Sequence, residues 1–253
     1  MNKFGTAFRN NYPLYFIEAW GLGLFMVSAS LFTILFQHPE LKVVSIIPSD
    51  FIRRLLTGII MGATAIVIIN SPWGRRSGAH INPSVTLTML LLKKINGTDV
   101  VFYILFQIIG GTAAVYLIAL ILPDYMADVS VQYVVTVPGK AGVIGALAGE
   151  CIISFIMMFV TLVTSNAKKI KHLTGYITGF LIVNFVVFEA PYSGFSMNPA
   201  RTIASAVPSG IWTAWPLYML VPPVSMIGAA VLYNVLFHQG KIHSLKHYFS
   251  PES

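Results

Sequence analysis

Residues 77–88 read Ser-Gly-Ala-His-Ile-Asn-Pro-Ser-Val-Thr-Leu-Thr, and residues 193–204 read Ser-Gly-Phe-Ser-Met-Asn-Pro-Ala-Arg-Thr-Ile-Ala. Both segments begin with Ser-Gly, continue through three residues to Asn-Pro and a small residue, and then enter a short apolar stretch. An asparagine N-cap followed by proline in the first turn is a signal for the start of a helix. The chain therefore contains an internal repeat, and each copy predicts a helix that begins at an Asn-Pro pair.

The composition indicates that this repeat belongs to a membrane protein. Of the 253 residues, 56% are apolar and 10% are charged, and the mean hydropathy is +0.75. Soluble domains carry about 25% charged residues. The single cysteine, Cys151, excludes an intrachain disulfide. Six apolar segments are long enough to span a bilayer as helices, at roughly 13–36, 51–70, 99–122, 142–164, 173–190 and 212–237.

The basic residues predict the orientation of these spans. Six crossings place the N-terminus, the 71–98 and 165–172 connections and the C-terminal tail on one side of the membrane. That side carries eleven Lys and Arg residues, and the other side carries four apart from Arg201. Because loops rich in Lys and Arg stay in the cytoplasm, both termini are predicted to be cytoplasmic, in the plasma or inner membrane. A basic rim beside anionic membrane lipid accounts for the net charge of +7, and no nucleic-acid partner is expected.

Each helix that begins at an Asn-Pro pair is too short to cross a bilayer. The segments 82–93 and 198–208 hold about eleven residues each, half of the roughly 20 that a span requires. With the assigned orientation, the two enter from opposite sides and their N-termini meet near the midplane. The sequence thus predicts an all-α membrane protein with six transmembrane helices and two re-entrant half-helices, arranged as an inverted two-fold repeat. We expect one channel domain over 1–253, with a first repeat at about 13–122, a second at about 142–237 and a cytoplasmic tail at 238–253.

Two carboxylates lie inside predicted spans. Glu18 in the first span and Glu150 in the fourth occupy equivalent places in the two halves. An ionisable residue within the membrane is a functional hypothesis by default, so a proton relay or a cation site is one interpretation. In the other, each carboxylate accepts backbone N–H bonds and braces the re-entrant loop beside it. A single acid in each half provides no relay chain, which favours the second interpretation.

With its two Asn-Pro boxes, its paired glutamates and Arg201 directly after the second box, the chain resembles the aquaporin, or major intrinsic protein, family over roughly 13–237. Tyr103 and Gln107 in the third span are also similar to the family pattern. The resemblance implies a passive channel that conducts water and small neutral solutes such as glycerol and excludes ions and protons. It also implies a homotetramer that is not an enzyme and has no cofactor or metal.

The resemblance implies a central constriction where the two boxes meet. There both asparagine amides would donate hydrogen bonds to the permeating molecule, and the positive ends of the half-helices would disfavour cations. Ser84 stands where the family has alanine, and His80 is expected to brace the first loop. The residues assigned to this constriction are Asn82, Pro83, Ser84, Asn198, Pro199 and Ala200.

An outer selectivity constriction is implied at Gly62, Val186, Phe195 and Arg201. Arg201 would donate hydrogen bonds and supply a fixed positive charge. Water-selective members carry an aromatic residue and a histidine at the first two positions, so Gly62 and Val186 imply a wider and less polar opening. Phe195 resembles glycerol-conducting members, although Thr202 replaces the aspartate that those members carry. Gly62 is equally consistent with a close contact between helices.

Three other functions are compatible with parts of the pattern. A strict water channel would share every feature except the wider opening. A coupled transporter also uses broken helices and intramembrane carboxylates, but it needs an ion or proton site, and the sequence shows no cluster of acids that would form one. A membrane enzyme would need a catalytic or metal-binding constellation within the spans, and none is recognisable there.

Overall fold

The computed structural model describes residues 3–237 of the chain. Within that part, six helical stretches are long and apolar enough to cross a membrane, which confirms the predicted all-α architecture. The predicted tail at 238–253 lies outside the described residues. In chain order the helices are α1 (Lys3–Gln37), α2 (Lys42–Ile46), α3 (Asp50–Asn70), α4 (Pro72–Ser77), α5 (Pro83–Leu91), α6 (Gly97–Ile121), α7 (Pro123–Ala127), α8 (Gly142–Asn166), α9 (Thr174–Asn184), α10 (Ala190–Ser193), α11 (Pro199–Ser209) and α12 (Trp215–Phe237).

Helix α1 begins about ten residues earlier than the hydropathy pattern predicts. Its first turns are polar, and hydropathy identifies only the part of a helix that matches the hydrocarbon core. Packing against α6 holds these turns in place. The Phe8 ring lies 5.4 Å from the ring of Phe102, and the Asn11 amide donates to Asp99 over 3.0 Å. The helix therefore continues past the apolar segment because a neighbouring helix supports it.

The two predicted half-helices are present as α5 and α11. Each has asparagine at the N-cap and proline in its first turn: the Asn82 side-chain oxygen accepts the N–H of Ser84, and that of Asn198 accepts the N–H groups of Ala200 and Arg201. Helix α5 packs against α12, and α11 packs against α6. In the same way α1 pairs with α6, and α8 pairs with α12. Each half-helix therefore packs on the last span of the opposite repeat, as an inverted two-fold arrangement requires.

The fifth span, Lys171–Ser193, is not a uniform α-helix. It contains α9, then a π-helical turn over Phe185–Glu189, and finally α10. Pro191 follows this turn and lacks the N–H that an α-helix would direct to the carbonyl of Val187, so a wider turn at this point is physically reasonable. The extra residue in the turn changes which side chains after α9 face the interior. Two apolar cores, one around Met157 and one around Met26, lie in the interior of the bundle.

Candidate functional site

Two loops with the same backbone path carry the Asn-Pro boxes into the bundle. Gly78 and Gly194 open the loops with φ of 92° and 82°. A left-handed conformation costs a residue with a side chain about 1–2 kcal/mol, so loops of this kind need strong local hydrogen bonds. Four non-glycine residues adopt positive φ angles between 42° and 53° at matching places in the two loops: Ala79, Ile81, Phe195 and Met197.

Glu18 supplies such hydrogen bonds to the first loop. Its side chain is fully buried, and the carboxylate accepts the backbone N–H groups of His80 at 3.0 Å and Ile81 at 2.5 Å. The hydroxyl of Ser77 donates to it over 2.7 Å, and the amide of Gln107 over 2.8 Å. These four donors surround the carboxylate, so the strained loop and the first span form one connected unit.

Glu150 makes the equivalent contacts in the second half. It is also fully buried, and its carboxylate accepts the backbone N–H groups of Ser196 at 2.6 Å and Met197 at 2.7 Å. The Ser193 hydroxyl donates to it over 2.9 Å. Neither Glu18 nor Glu150 is among the residues that line the cavity between the two loops. Both carboxylates are therefore directed at the loops and away from the cavity.

The side chains of Asn82 and Asn198 meet between the two loops. The Nδ2 atom of Asn82 donates to the carbonyl oxygen of Met197 over 2.8 Å, and that of Asn198 donates to the carbonyl oxygen of Ile81 over 2.7 Å. A primary amide carries two N–H donors, so each asparagine retains one for another acceptor. Both residues line the central cavity. The predicted pair thus lies at one place, with each side chain bonded to the opposite loop.

A second set of contacts ties each loop to the half-helix that follows it. In the first loop, Nδ1 of His80 lies 3.2 Å from Oγ1 of Thr86. In the second, Oγ of Ser196 lies 2.5 Å from Oγ1 of Thr202. Thr202 therefore occupies the place that Thr86 has in the first half. The hydroxyl pair makes the contact that the histidine and threonine make in the other loop.

A cavity of about 150 Å³ lies between the two loops and one end of the bundle. One water molecule needs roughly 10–15 Å³ in this measure, so the cavity can hold several waters or a solute of several heavy atoms. Its wall includes the first loop, residues 78–81, and apolar side chains such as Leu22, Phe25 and Met157. The carbonyl oxygens of Gly78, Ala79 and His80 accept no hydrogen bond from residues 3–237. The cavity thus combines apolar surface with free backbone acceptors.

Arg201 and Phe195 line the same cavity on the side of the second loop. Only 7% of Arg201 is exposed, and its Nη1 atom is buried without a hydrogen-bond partner among the described residues. A buried guanidinium donor without a partner is costly unless a ligand or solvent accepts from it. Phe195 is also buried. The two side chains present a donor and an apolar surface to whatever occupies the cavity.

Gly62 lies at a contact between helices. A β-carbon at this position would be 2.6 Å from the carbonyl oxygen of Gly179 and 2.8 Å from Cγ2 of Val183. Gly62 and Val186 are not among the residues that line the cavity, and Val186 is buried in an apolar cluster with Met61 and Phe195. The structure therefore favours the helix-contact interpretation of Gly62, because a side chain there would meet the fifth span instead of open space.

Sequence reasoning missed Tyr218, which supports the second loop. Its hydroxyl donates to the carbonyl of Ser193 over 2.7 Å, as the hydroxyl of Tyr103 donates to the carbonyl of Ser77 over 2.8 Å. The signal was present, because each tyrosine follows the serine of its own loop by a similar distance, 26 residues in the first half and 25 in the second. The third and sixth spans thus support their own loops in the same way.

The fold and this site define a class. Six membrane-spanning helices surround two re-entrant half-helices, and a polar meeting point of two loops lies inside the apolar bundle. Non-helical backbone at this depth is expected only where it lines a cavity or is buried in protein. The chain is therefore a multi-pass integral membrane protein with an internal cavity at the meeting point of its two loops.

Comparison with known proteins identifies the family. The family model described as Major intrinsic protein matches residues 16–233. Aquaporin NIP2-3 of Zea mays is 31% identical over 217 residues, which are 85% of this chain and 70% of the maize protein. Aquaporin-4 of Mus musculus is 31% identical over 189 residues, which are 74% of this chain and 57% of the mouse protein. The chain belongs to the major intrinsic protein family, whose members are membrane channels.

A solved structure supports the same fold. The aquaglyceroporin from Plasmodium falciparum superposes with a TM-score of 0.74 at 18% sequence identity, covering 90% of this chain and 97% of the parasite protein. At that identity the match shows the fold alone. The matched segments amount to 70% of the maize protein and 57% of the mouse protein.

Proposed function

We propose that this protein is a passive channel that conducts water and small neutral solutes such as glycerol, and excludes ions and protons. The observation that carries the proposal is the meeting of Asn82 and Asn198 at the cavity, where each amide keeps one free donor. The N-terminal ends of α5 and α11 begin at these two residues and add positive potential. A neutral molecule with an acceptor oxygen is favoured at this point, and a cation is not.

The same geometry opposes proton transfer along a file of waters. A water whose oxygen accepts a hydrogen bond from both asparagines must direct its own hydrogens away from them. Waters on the two sides of that molecule are then oriented in opposite directions, which interrupts a continuous chain of proton donors. The helix termini reinforce this orientation, because their positive ends repel an excess proton at the same place.

The passage of glycerol is proposed from Phe195 and Arg201. A small polyol presents carbon atoms along one edge and hydroxyl groups along the other. Phe195 offers an apolar surface, and Arg201 offers a donor without a protein partner. A solute with both kinds of surface fits this pair better than water alone does.

The proposal extends to orientation, membrane and assembly. The charge asymmetry favours cytoplasmic termini, and we place the protein in the plasma or inner membrane. The family resemblance favours a homotetramer of single-domain subunits, with a repeat in each half of the chain. Native mass spectrometry of the protein in detergent tests the tetramer, and protease protection of a tag at the N-terminus tests the orientation.

A coupled transporter is disfavoured by the surroundings of the two buried carboxylates. Both Glu18 and Glu150 accept several hydrogen bonds from their loops and lie away from the cavity lining. A carboxylate used in that way is not available to carry a proton with the solute. A strict water channel remains the principal alternative, and it would differ only in excluding glycerol.

Stopped-flow light scattering of proteoliposomes tests the proposal. Purified protein is reconstituted, and permeability to water, glycerol and urea is measured side by side, with and without a proton or sodium gradient. We expect water and glycerol to permeate faster than in protein-free liposomes, at rates that the gradients leave unchanged. Water permeation without glycerol permeation would indicate a strict water channel, and rates that depend on a gradient would indicate a coupled transporter.

A further inference from the structure

Several threonines in the helices of this protein bond to their own backbone. Such a bond uses the hydroxyl hydrogen on the carbonyl one turn earlier and removes it from other acceptors. In α8, the hydroxyl of Thr164 donates to the carbonyl of Val160 over 2.8 Å. The same i to i−4 contact, at 2.8–3.1 Å, is made by Thr57, Thr64, Thr86 and Thr88.

Three threonines that line the cavity behave differently. Thr161 in α8 and Thr174 and Thr178 in α9 donate no hydrogen bond to any residue in 3–237, and the Thr174 hydroxyl oxygen is buried without a partner. Ser165, one turn after Thr161, also lines the cavity, with a weak contact of 3.4 Å to the carbonyl of Leu162. The hydroxyl hydrogens of the three threonines are thus available to the contents of the cavity.

These hydroxyl groups form one wall. Thr161 and Ser165 are four residues apart on α8, and Thr174 and Thr178 are four residues apart on α9, so each pair lies on one face of its helix. Helices α8 and α9 pack against each other. The lining side chains that α1, α3 and α5 contribute beyond the Asn82 cap are all apolar. Polar side chains in this part of the cavity therefore come from α8 and α9, and we name them the hydroxyl wall: Thr161, Ser165, Thr174 and Thr178.

We propose that the hydroxyl wall is a second solute-binding track, selective for molecules that carry several hydroxyl groups. The inference rests on the proposed conduction of small neutral solutes and names residues of α8 and α9 that select among them. Each hydroxyl can donate and accept, which matches a polyol whose hydroxyls also do both. The free carbonyls of the first loop offer only acceptors. Together they supply both kinds of partner along the cavity.

The hydroxyl wall affects the permeation of polyols more than the permeation of water. The cavity is large enough for several waters, which can hydrogen-bond to one another and need few contacts with the protein. A polyol of similar width displaces those waters and loses their hydrogen bonds. Its hydroxyls must then find partners on the wall, since an unpaired hydroxyl in an apolar channel is costly. Several weak sites in series also permit release, which conduction requires.

The test uses three variants of the full-length protein in liposomes. Thr161→Val with Thr178→Val removes two wall hydroxyls at nearly constant shape, and Thr161→Ser with Thr178→Ser restores them. Thr164→Val is the matched control, because Thr164 is also in α8 but its hydroxyl is bonded to Val160 and does not line the cavity. Thermal melting in detergent verifies that each variant is folded. The readout is the ratio of glycerol to water permeability.

We expect the double valine variant to lower this ratio roughly two- to tenfold, since that range corresponds to the loss of one net hydrogen bond. The serine variant should recover the parent ratio, and Thr164→Val should retain it. The hydroxyl-wall proposal is overturned if the folded double valine variant keeps the parent's ratio of glycerol to water permeability, or if Thr164→Val lowers that ratio equally. In either case the proposed conduction of glycerol by the parent still stands. A parent that conducts water but not glycerol overturns both proposals.

Discussion

The side-chain amide of Asn198 donates a hydrogen bond to the backbone carbonyl of Ile81, 117 residues earlier in the chain, over 2.7 Å. The reciprocal bond runs from Asn82 to Met197. Each Asn-Pro box is therefore held by the loop of the opposite repeat as well as by its own half-helix. This exchange couples the two halves at the centre of the bundle, so the position of each asparagine depends on both loops being correctly folded.

The carboxylates beside the loops should matter for stability more than for selectivity. Glu150→Ala leaves the buried N–H groups of Ser196 and Met197 without an acceptor, at about 1–3 kcal/mol each. We expect a lower midpoint of thermal unfolding in detergent and a lower yield of folded protein. Glu40→Ala, at an exposed position, is the control and should melt like the parent. If the parent transports protons with solute, and Glu150→Ala keeps the parent's stability but loses that proton transport, the carboxylate is a relay.

Removal of the buried guanidinium should weaken the exclusion of cations. Arg201→Val deletes a fixed positive charge in the cavity wall, and a unit charge in a partly dehydrated site contributes several kcal/mol. Proton or sodium leakage into liposomes that hold a pH- or sodium-sensitive dye should rise roughly tenfold or more. Arg75→Ala removes an exposed charge and should leave leakage unchanged. Equal leakage in the parent and Arg201→Val would show that another group excludes cations.

Gly62→Ala distinguishes the two interpretations of Gly62, a close contact between helices and a position in the outer selectivity constriction. A methyl group at this position would crowd the carbonyl of Gly179, and overpacking of this kind costs about 1–3 kcal/mol. Gly62→Ala should therefore lower the thermal midpoint and leave the ratio of glycerol to water permeability unchanged. Gly228→Ala is the control, since nothing lies within 4 Å of an added β-carbon in that helix. If Gly62→Ala changes the ratio of glycerol to water permeability but leaves the thermal midpoint unchanged, Gly62 lines the outer selectivity constriction.

The two tyrosines that support the loops provide a test of the internal symmetry. Tyr103→Phe and Tyr218→Phe each remove one hydroxyl that donates to the carbonyl of a loop serine. Each should lower the free energy of unfolding by about 1 kcal/mol. Because the two sites belong to different loops, the double variant should lose roughly the sum of the single losses. A large loss at one tyrosine with none at the other would contradict equivalent roles.

Much of the architecture could be read from the amino-acid sequence because its causes are local. A span needs about 20 apolar residues, and a helix start needs an asparagine cap and a proline in the first turn. Both signals depend on neighbours in the chain. They located the six spans, the half-helices that begin after Asn82 and Asn198, and the glutamates in the first and fourth spans. The start of α1 was misplaced, because Phe8 and Asn11 are held by α6 and not by lipid.

Which way a side chain faces was decided only by the tertiary structure. The close contact at Gly62 depends on how α3 packs against the fifth span. Counting residues back from an asparagine reveals neither that contact nor the π-helical turn in the fifth span. The same limit applies to Thr161 and Thr164 in α8. They are identical in type and three residues apart, yet one faces the cavity and the other bonds to its own helix. Hydropathy treats them alike, whereas packing determines which hydroxyl remains free to meet a solute.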